Sequence, residues 1–585
     1  MTFVPRDRAR ASGLLRTGAR VVLIGIVGIV QATAAVDQRQ GTQPVDLIPT
    51  EAVSPHGVVV TSSGAASRAG TTILEQGGNA VDAAVAAAFA LGASEPGASG
   101  LGGQTLMLLV MADGRAIAID GAAAAPVRLK VSTLRKLEDA GLLTGYPAAA
   151  TPGTVAALSH ALERYGSKTL AEVLQPAIEI AEFGSTMTPC ERSFVGAYQH
   201  QLAGSPYLCQ LFLRDCFDVF DLDHLFCLPD LARTLRRLAV HGTVDFYGGA
   251  IAAEIDADMT ANGGFVSRDD LALMKAIERE PVRGSYRGLE VISFPFPGGG
   301  AAVVEALQIL ECFPPALLRS ESVDRLHLLI EAVRLALADI DPNAAFARTA
   351  DSLAGDKRHA AQRAALIRFD RALWEREIGE ITWTSQGAPD TTQVSVADAY
   401  GNVVSLTQSL GRHYGGFVAA PSLGFPYNSL LENYSLSNQR SRNFPTPLRR
   451  AYSTMAPTVV LREGRPFLVL GSVASGRITS AIVAAIVNVA DRGLSLCDAV
   501  SAPRVLWSGD TQRKAYLEIA GPITDEQADA LAARGFSTMY RLRFPPRPID
   551  LSAFGAVNSV EIRDDGVRVG VGDSRRQGVA VGARR

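Results

Sequence analysis

Nothing in this 585-residue chain is apolar for long enough to cross a bilayer, which takes about 20 residues in a row. The one marked apolar run near the N-terminus, residues 21–30, falls well short, so stable membrane insertion is not expected. An excess of either charge is also missing. The net charge is −3 with no dense basic patch, which argues against a nucleic-acid partner. Arginine far outnumbers lysine, a bias that speaks of genome composition and not of partners. Cysteine is scarce, with six residues and no paired C-x-x-C spacing, so a zinc site is not expected and neither a metal nor another cofactor is called for. Internal repeats and long low-complexity tracts are absent as well, which removes solenoid and fibrous architectures.

What remains fits an ordinary globular enzyme, 47% hydrophobic and 20% charged, long enough for a large core and nominally for two domains. Arg6, Arg8, Arg10, Arg16 and Arg20 precede the apolar run, and Ala32-Thr33-Ala34 follows it. That is the layout of a secretory signal peptide over residues 1–34, and it favours export to the periplasm or outside over a cytoplasmic location. Residues 35–56 read as a polar linker. Cys190, Cys209, Cys216 and Cys227 cluster, either as disulfides of an exported protein or as buried free thiols, while Cys312 and Cys497 read as core residues.

From residue 57 the pattern is strand, helix, strand at 58–61, 79–92 and 105–111. Asn79 and Asp82 form a capping-box signature on a helix apolar all round, hence buried. The stretch 150–380 is helix-rich, with 327–340 reading as amphipathic. Strands return after 391. Gly401-Asn402 reads as a hairpin turn between 393–397 and 403–410. Glu463-Gly464 turns between 458–461 and 466–470, and an apolar helix covers 478–490. Strands at both ends with helices between them indicate one α/β domain assembled from both parts of the chain.

Thr391 stands at the head of the strand-like run Asp390-Thr391-Thr392-Gln393-Val394-Ser395-Val396, just after a polar stretch. If the chain is cut before it, Thr391 carries a hydroxyl nucleophile and, in its own α-amine, a base of pKa about 8 suited to neutral pH.

Taken with Gly77-Gly78-Asn79-Ala80-Val81-Asp82, Glu95-Pro96-Gly97-Ala98-Ser99-Gly100-Leu101-Gly102-Gly103, Thr151-Pro152-Gly153-Thr154, Phe246-Tyr247-Gly248-Gly249, Ser453-Thr454-Met455-Ala456-Pro457 and Gly471-Ser472-Val473-Ala474-Ser475-Gly476-Arg477, the chain resembles the γ-glutamyltransferase family from about Gly57 to about Leu506. The resemblance implies the four-layer αββα sandwich of N-terminal-nucleophile hydrolases. It implies self-cleavage between Asp390 and Thr391 into a large subunit, 57–390, and a small one, 391–585, which pair as a heterodimer, with further association left open. Thr391 is then the nucleophile on a small-molecule substrate. Ser409 takes the place of a second, supporting threonine. Ala474 and Ser475 replace the glycine pair whose backbone N–H groups form the oxyanion hole, and a Cβ would strain either position if it needs positive φ. Thr407 shares the strand face of Ser409 and reads as a plain sheet residue.

The substrate pocket departs from the family. Ala122 stands where an arginine would hold the substrate α-carboxylate, and Asn433 where an acid would pair with the α-ammonium. Gly411 and Leu430 replace an asparagine and a glutamine, and Gln393 replaces a histidine. Asn428, Ser453 and Thr454 keep polar positions, so the substrate-binding set is Gly411, Asn428, Asn433, Ser453 and Thr454. Arg412 or Arg449 could compensate from another direction. Losing both charge partners weakens recognition of an amino-acid head group by several kcal/mol for each buried charge left unpaired. The expected activity is cleavage of a different amide-like substrate by acyl transfer. The alternatives are carbon–carbon bond hydrolysis in an antibiotic (alkylproline) pathway with the same threonine, true γ-glutamyl transfer or glutathione hydrolysis, and a non-catalytic binding homologue.

Overall fold

Many strands are apolar runs buried along most of their length, and the fold stacks them in two sheets face to face. In the computed structural model the described residues are 50–222, 224–341, 350–379, 389–507, 514–517, 523–541 and 554–584. The signal-like segment, and the polar stretch up to residue 388, lie outside them. Two seven-stranded antiparallel sheets dominate. We number their strands β1 Thr50–Ser54, β2 Gly57–Thr61, β3 Gln104–Val110, β4 Ala116–Gly121, β5 Ile277–Arg279, β6 Val282–Tyr286, β7 Leu289–Ser293, β8 Pro389–Asp398, β9 Val403–Arg412, β10 Thr458–Arg462, β11 Arg465–Ser472, β12 Val557–Ile562, β13 Arg568–Gly572 and β14 Val579–Gly582. One sheet runs β1-β13-β12-β11-β10-β7-β6 and the other β14-β2-β8-β9-β3-β4-β5.

The sheets pack against each other, β8 and β9 over β11 and β12. Helices α1 (Gly64–Glu75) and α2 (Ala80–Ser94) cover the outer face of the second sheet. Helices α3 (Gly300–Glu311) and α5 (Ile478–Ala490) cover the first, and α4 (Val323–Asp339) packs on those two helices. The result is the four-layer αββα sandwich. The capping box on α2 forms as expected, with the Asn79 side chain accepting from the N–H groups of Val81 and Asp82 and Asp82 accepting from Asn79 N. Every residue of α2 is buried, and its alanines lie on Val394, Val396, Val404 and Leu406. Truncating one of those leucines or valines would cost about 1–5 kcal/mol.

Three expectations are corrected, and the question left open for the cysteine cluster is answered. Residues 50–54, read as linker, form β1, because their backbone groups pair with β13. Residues 327–339 lie within α4 and are buried nearly throughout, since α3, α5 and the helix Asp525–Ala533 pack around it; the charges Glu331 and Arg334 pair internally at 2.8 Å. Cys312, read as core, is exposed just past α3, and Cys497 is half-exposed. Cys209 and Cys216 form a disulfide, whereas Cys190 is buried and Cys227 exposed, both outside any disulfide.

Candidate active site

Thr391 is 3% exposed and lies within β8, continuous with Asp390. The β8–β9 register pairs Asp390 with Gly411 and Thr392 with Gln408, so Ser409 and Leu410 together oppose Thr391 alone. This β-bulge turns the two strands locally and sets Ser409 beside Thr391, a device common next to active sites. Ser409 is 5% exposed, and its oxygen accepts from Gly411 N at 2.9 Å. Gly411 has φ +91°, which an L-residue rarely adopts, and a Cβ there would stand 2.5 Å from Ser429 Oγ.

Alternation along β8 turns Thr391, Gln393 and Ser395 toward the other sheet. Gln393 fills the space between the sheets. Its amide donates to Ser405 Oγ at 3.0 Å and accepts from Thr407 Oγ1 at 2.7 Å. Thr407 is therefore the sheet residue it was read as. Gly471 of β11 has no room for a side chain, because a Cβ would come 2.2 Å from Gln393 Oε1. This contact seats the strand of Thr391 on the strand that leads into the Ala474–Ser475 loop.

Ala474 (φ 79°) and Ser475 (φ 53°) both adopt left-handed backbone conformations, 5% and 7% exposed, in a short turn that runs into α5. The strain foreseen for these two positions is present at both. A pair of N–H groups ahead of a helix N-terminus suits a developing negative charge.

Ser453 donates its N–H to Pro297 O at 2.8 Å, and its hydroxyl oxygen accepts from Met455 N at 3.2 Å. Gly299 N donates to Met455 O at 2.9 Å, so the 453–455 segment is fastened to the loop that begins α3. Thr454 is buried beside it. Asn428 is corrected. Its amide N–H₂ donates to Gly102 O (2.7 Å) and Ala150 O (2.8 Å), and its oxygen accepts from Ala150 N (2.9 Å) and Leu430 N (3.0 Å). With all four bonds made to backbone, it fastens loops together and has no capacity left for a substrate. Asn433 is half-buried at the end of the turn Leu430–Asn433 and brings no charge.

The surroundings of Ala122 and Leu430 are apolar. Ala122 is fully buried, and Ala123, Ala125, Leu143, Leu430 and Leu431 form one buried cluster, with Leu430 Cδ2 3.4 Å from where a Cβ on Gly411 would be. Asp120, just before Ala122, is clamped by Arg279 at 2.7 Å and Arg450 at 3.1 Å, which fixes this wall. Arg449 is exposed and held by Thr446 and Arg442. Arg412 pairs with Glu432, Nε to Oε2 at 2.7 Å with a second contact from Nη2 to Oε1. Burial raises the Glu432 pKa and Arg412 opposes that rise. Glu432 was overlooked because the neighbouring Asn433 occupies the family position; a lone acid one residue away was the available signal.

Among the described residues one cluster has metal-ligand spacing. It comprises Glu305 on α3, Asp339 on α4 and His359 on helix α6 (Lys357–Ala364, numbered after the five above). His359 Nε2 lies 2.8 Å from Asp339 and 3.2 Å from Glu305, and Arg363 lies 2.8 Å from Asp339. A protonated His359 and Arg363 balance the two carboxylates.

The sequence profile of the gamma-glutamyltranspeptidase family matches residues 66–583. The acylase ACY 1 proenzyme of Pseudomonas sp. (strain SE83) is 36% identical over 545 residues, covering 90% of this chain and 93% of its own. The glutathione hydrolase proenzyme of Escherichia coli (strain K12) is 31% identical over 542 residues, covering 89% and 90%. Among solved structures, the cephalosporin acylase from Bacillus halodurans superposes with a TM-score of 0.81 at 26% identity, covering 94% of this chain and 99% of that one.

Proposed function

The chain belongs to the gamma-glutamyltranspeptidase family and is an enzyme of that hydrolase and acyltransferase type, and from this premise we propose that it is a self-processing threonine acylase whose acyl donor is not a glutamyl group. The Thr391 hydroxyl attacks the Asp390 carbonyl carbon, the peptide C–N bond breaks, and the nitrogen takes a proton to become the α-amine of Thr391. Water then hydrolyses the ester, leaving Asp390 as a C-terminal carboxylate and the Thr391 hydroxyl free. In turnover the α-amine accepts the hydroxyl proton as the oxygen attacks the substrate carbonyl, and passes it to the leaving amine. Ser409 supports the Thr391 oxygen, and the N–H groups of the 474–475 turn receive the oxyanion.

The observation that carries the substrate reading is the apolar wall of Ala122, Ala123 and Leu430 where an amino-acid head group would need two charges. That two of the relatives are named acylases supports it. The test compares para-nitroanilides. The γ-glutamyl compound is expected to react at least about a hundredfold less efficiently than a pentanoyl one, since each unmatched buried charge costs several kcal/mol and ~1.4 kcal/mol is tenfold in rate. Comparable or faster γ-glutamyl turnover would overturn the reading. The signal-like N-terminus supports export, and the Cys209–Cys216 disulfide fits an oxidising compartment.

A further inference from the structure

We propose that Arg412 and Glu432 together decide which acyl chains the site admits: Arg412 hydrogen-bonds an uncharged acceptor at the far end of the chain, and Glu432 turns away chains that end in a carboxylate. This rests on the acylase reading and names the substrate class within it, an acyl group of about glutaric length that ends in an amide or ketone oxygen.

Arg412 pairs across the β8–β9 ladder with Pro389, two residues before Thr391. Pro389 and Asp390 are on the side of the chain that cleavage releases from Thr391, so the strand edge at Gly411–Arg412 becomes the ground an acyl group can occupy beyond the nucleophile. The methylenes of that group would pass over Gly411, beside which Leu430 packs, 3.4 Å from where a Cβ would stand. At the end stands the guanidinium of Arg412, whose side chain is 27% exposed. Its Nε and Nη2 are engaged by Glu432, and Nη2 also donates to Leu143 O at 3.2 Å. The two N–H groups of Nη1 have no partner among the described residues, so they are the donors on offer. Glu432, with a side chain 8% exposed, already neutralises the guanidinium. A second carboxylate would have to share that one positive charge with Glu432 in a partly buried setting, where like charges disfavour each other strongly. An amide or ketone oxygen accepts the same hydrogen bonds without a counter-charge.

The test uses the processed wild-type enzyme, Glu432→Gln and Arg412→Met. The substrates are the para-nitroanilides of pentanoate, glutaric monoamide, glutarate and γ-glutamate. Appearance of both cleavage fragments in each variant confirms that the fold is kept. In the wild type the monoamide should exceed glutarate in kcat/KM by about tenfold or more, about the worth of one charge-assisted hydrogen bond. Glu432→Gln should shift that ratio toward glutarate by about tenfold. Arg412→Met should drop the monoamide to the pentanoate level, chiefly through KM. A monoamide-to-glutarate ratio unmoved in both variants, while pentanoate is still hydrolysed, overturns this inference alone. Preference of the wild type for the γ-glutamyl compound overturns the parent reading instead.

Discussion

Single residues show where the site holds strain and where it does not. Ala474 and Ser475 sit side by side in a region where a Cβ costs about 1–2 kcal/mol for each residue. Glycine at position 474 removes that cost but adds about 0.5–1 kcal/mol of unfolded-chain freedom, so relief wins narrowly. Thermal unfolding should therefore place Ala474→Gly at or slightly above the wild type, within about 1 kcal/mol, and Ala474→Val clearly below it, because a β-branched residue is least tolerated there. A Gly variant that melts lower would show that the left-handed turn is not strained. The need for a turn at this point was legible in the sequence from Gly471 to Arg477. Asn428 is the opposite case. Its residue type suggested substrate binding, but type alone does not tell whether an amide points into a pocket or to the backbone of Gly102 and Ala150.

Secondary-structure elements follow the same division. The hairpin that carries Thr391 was legible through its alternation and Gly401-Asn402, and α2 through its cap. The bulge opposite Thr391 was not, because it depends on β9 also pairing with β3 and on Leu410 N reaching Ala98 O at 3.2 Å. The full burial of α4 was hidden for a similar reason: its charges neutralise each other inside the protein. Where α3, α4 and α6 meet, charge becomes a pH response. Hydrogen bonding to Glu305, reinforced by Asp339, pushes the His359 pKa up to about 9, above its ordinary 6.5. A raised pKa means that the stability it brings is fully present below about pH 6.5 and is lost as pH rises through about 9. The melting temperature should fall between pH 6.5 and 9 in the wild type and fall less in His359→Gln. Equal slopes would mean that the triad does not couple the three helices.

Across the whole molecule, the cut expected at Asp390 divides a chain whose halves cannot come apart as domains. In one sheet the strands from after it (β10 to β13) form a block held between strands from before it, β1 on one side and β7 and β6 on the other, and in the other sheet β8 and β9 lie between β2 and β3. The two fragments would stay joined by continuous ladders, and only denaturation would separate them. That architecture was legible only in outline, because local pattern gives α/β, whereas the order of strands comes from contacts hundreds of residues apart. The central claim is that Thr391 cuts the chain and then works as its N-terminal nucleophile. Intact-mass analysis of the denatured, purified protein tests it most directly. The wild type should give a fragment that begins at Thr391 and one that ends at Asp390, and Thr391→Ala should give a single uncut chain. An uncut wild type, or the same two fragments from Thr391→Ala, would contradict the account.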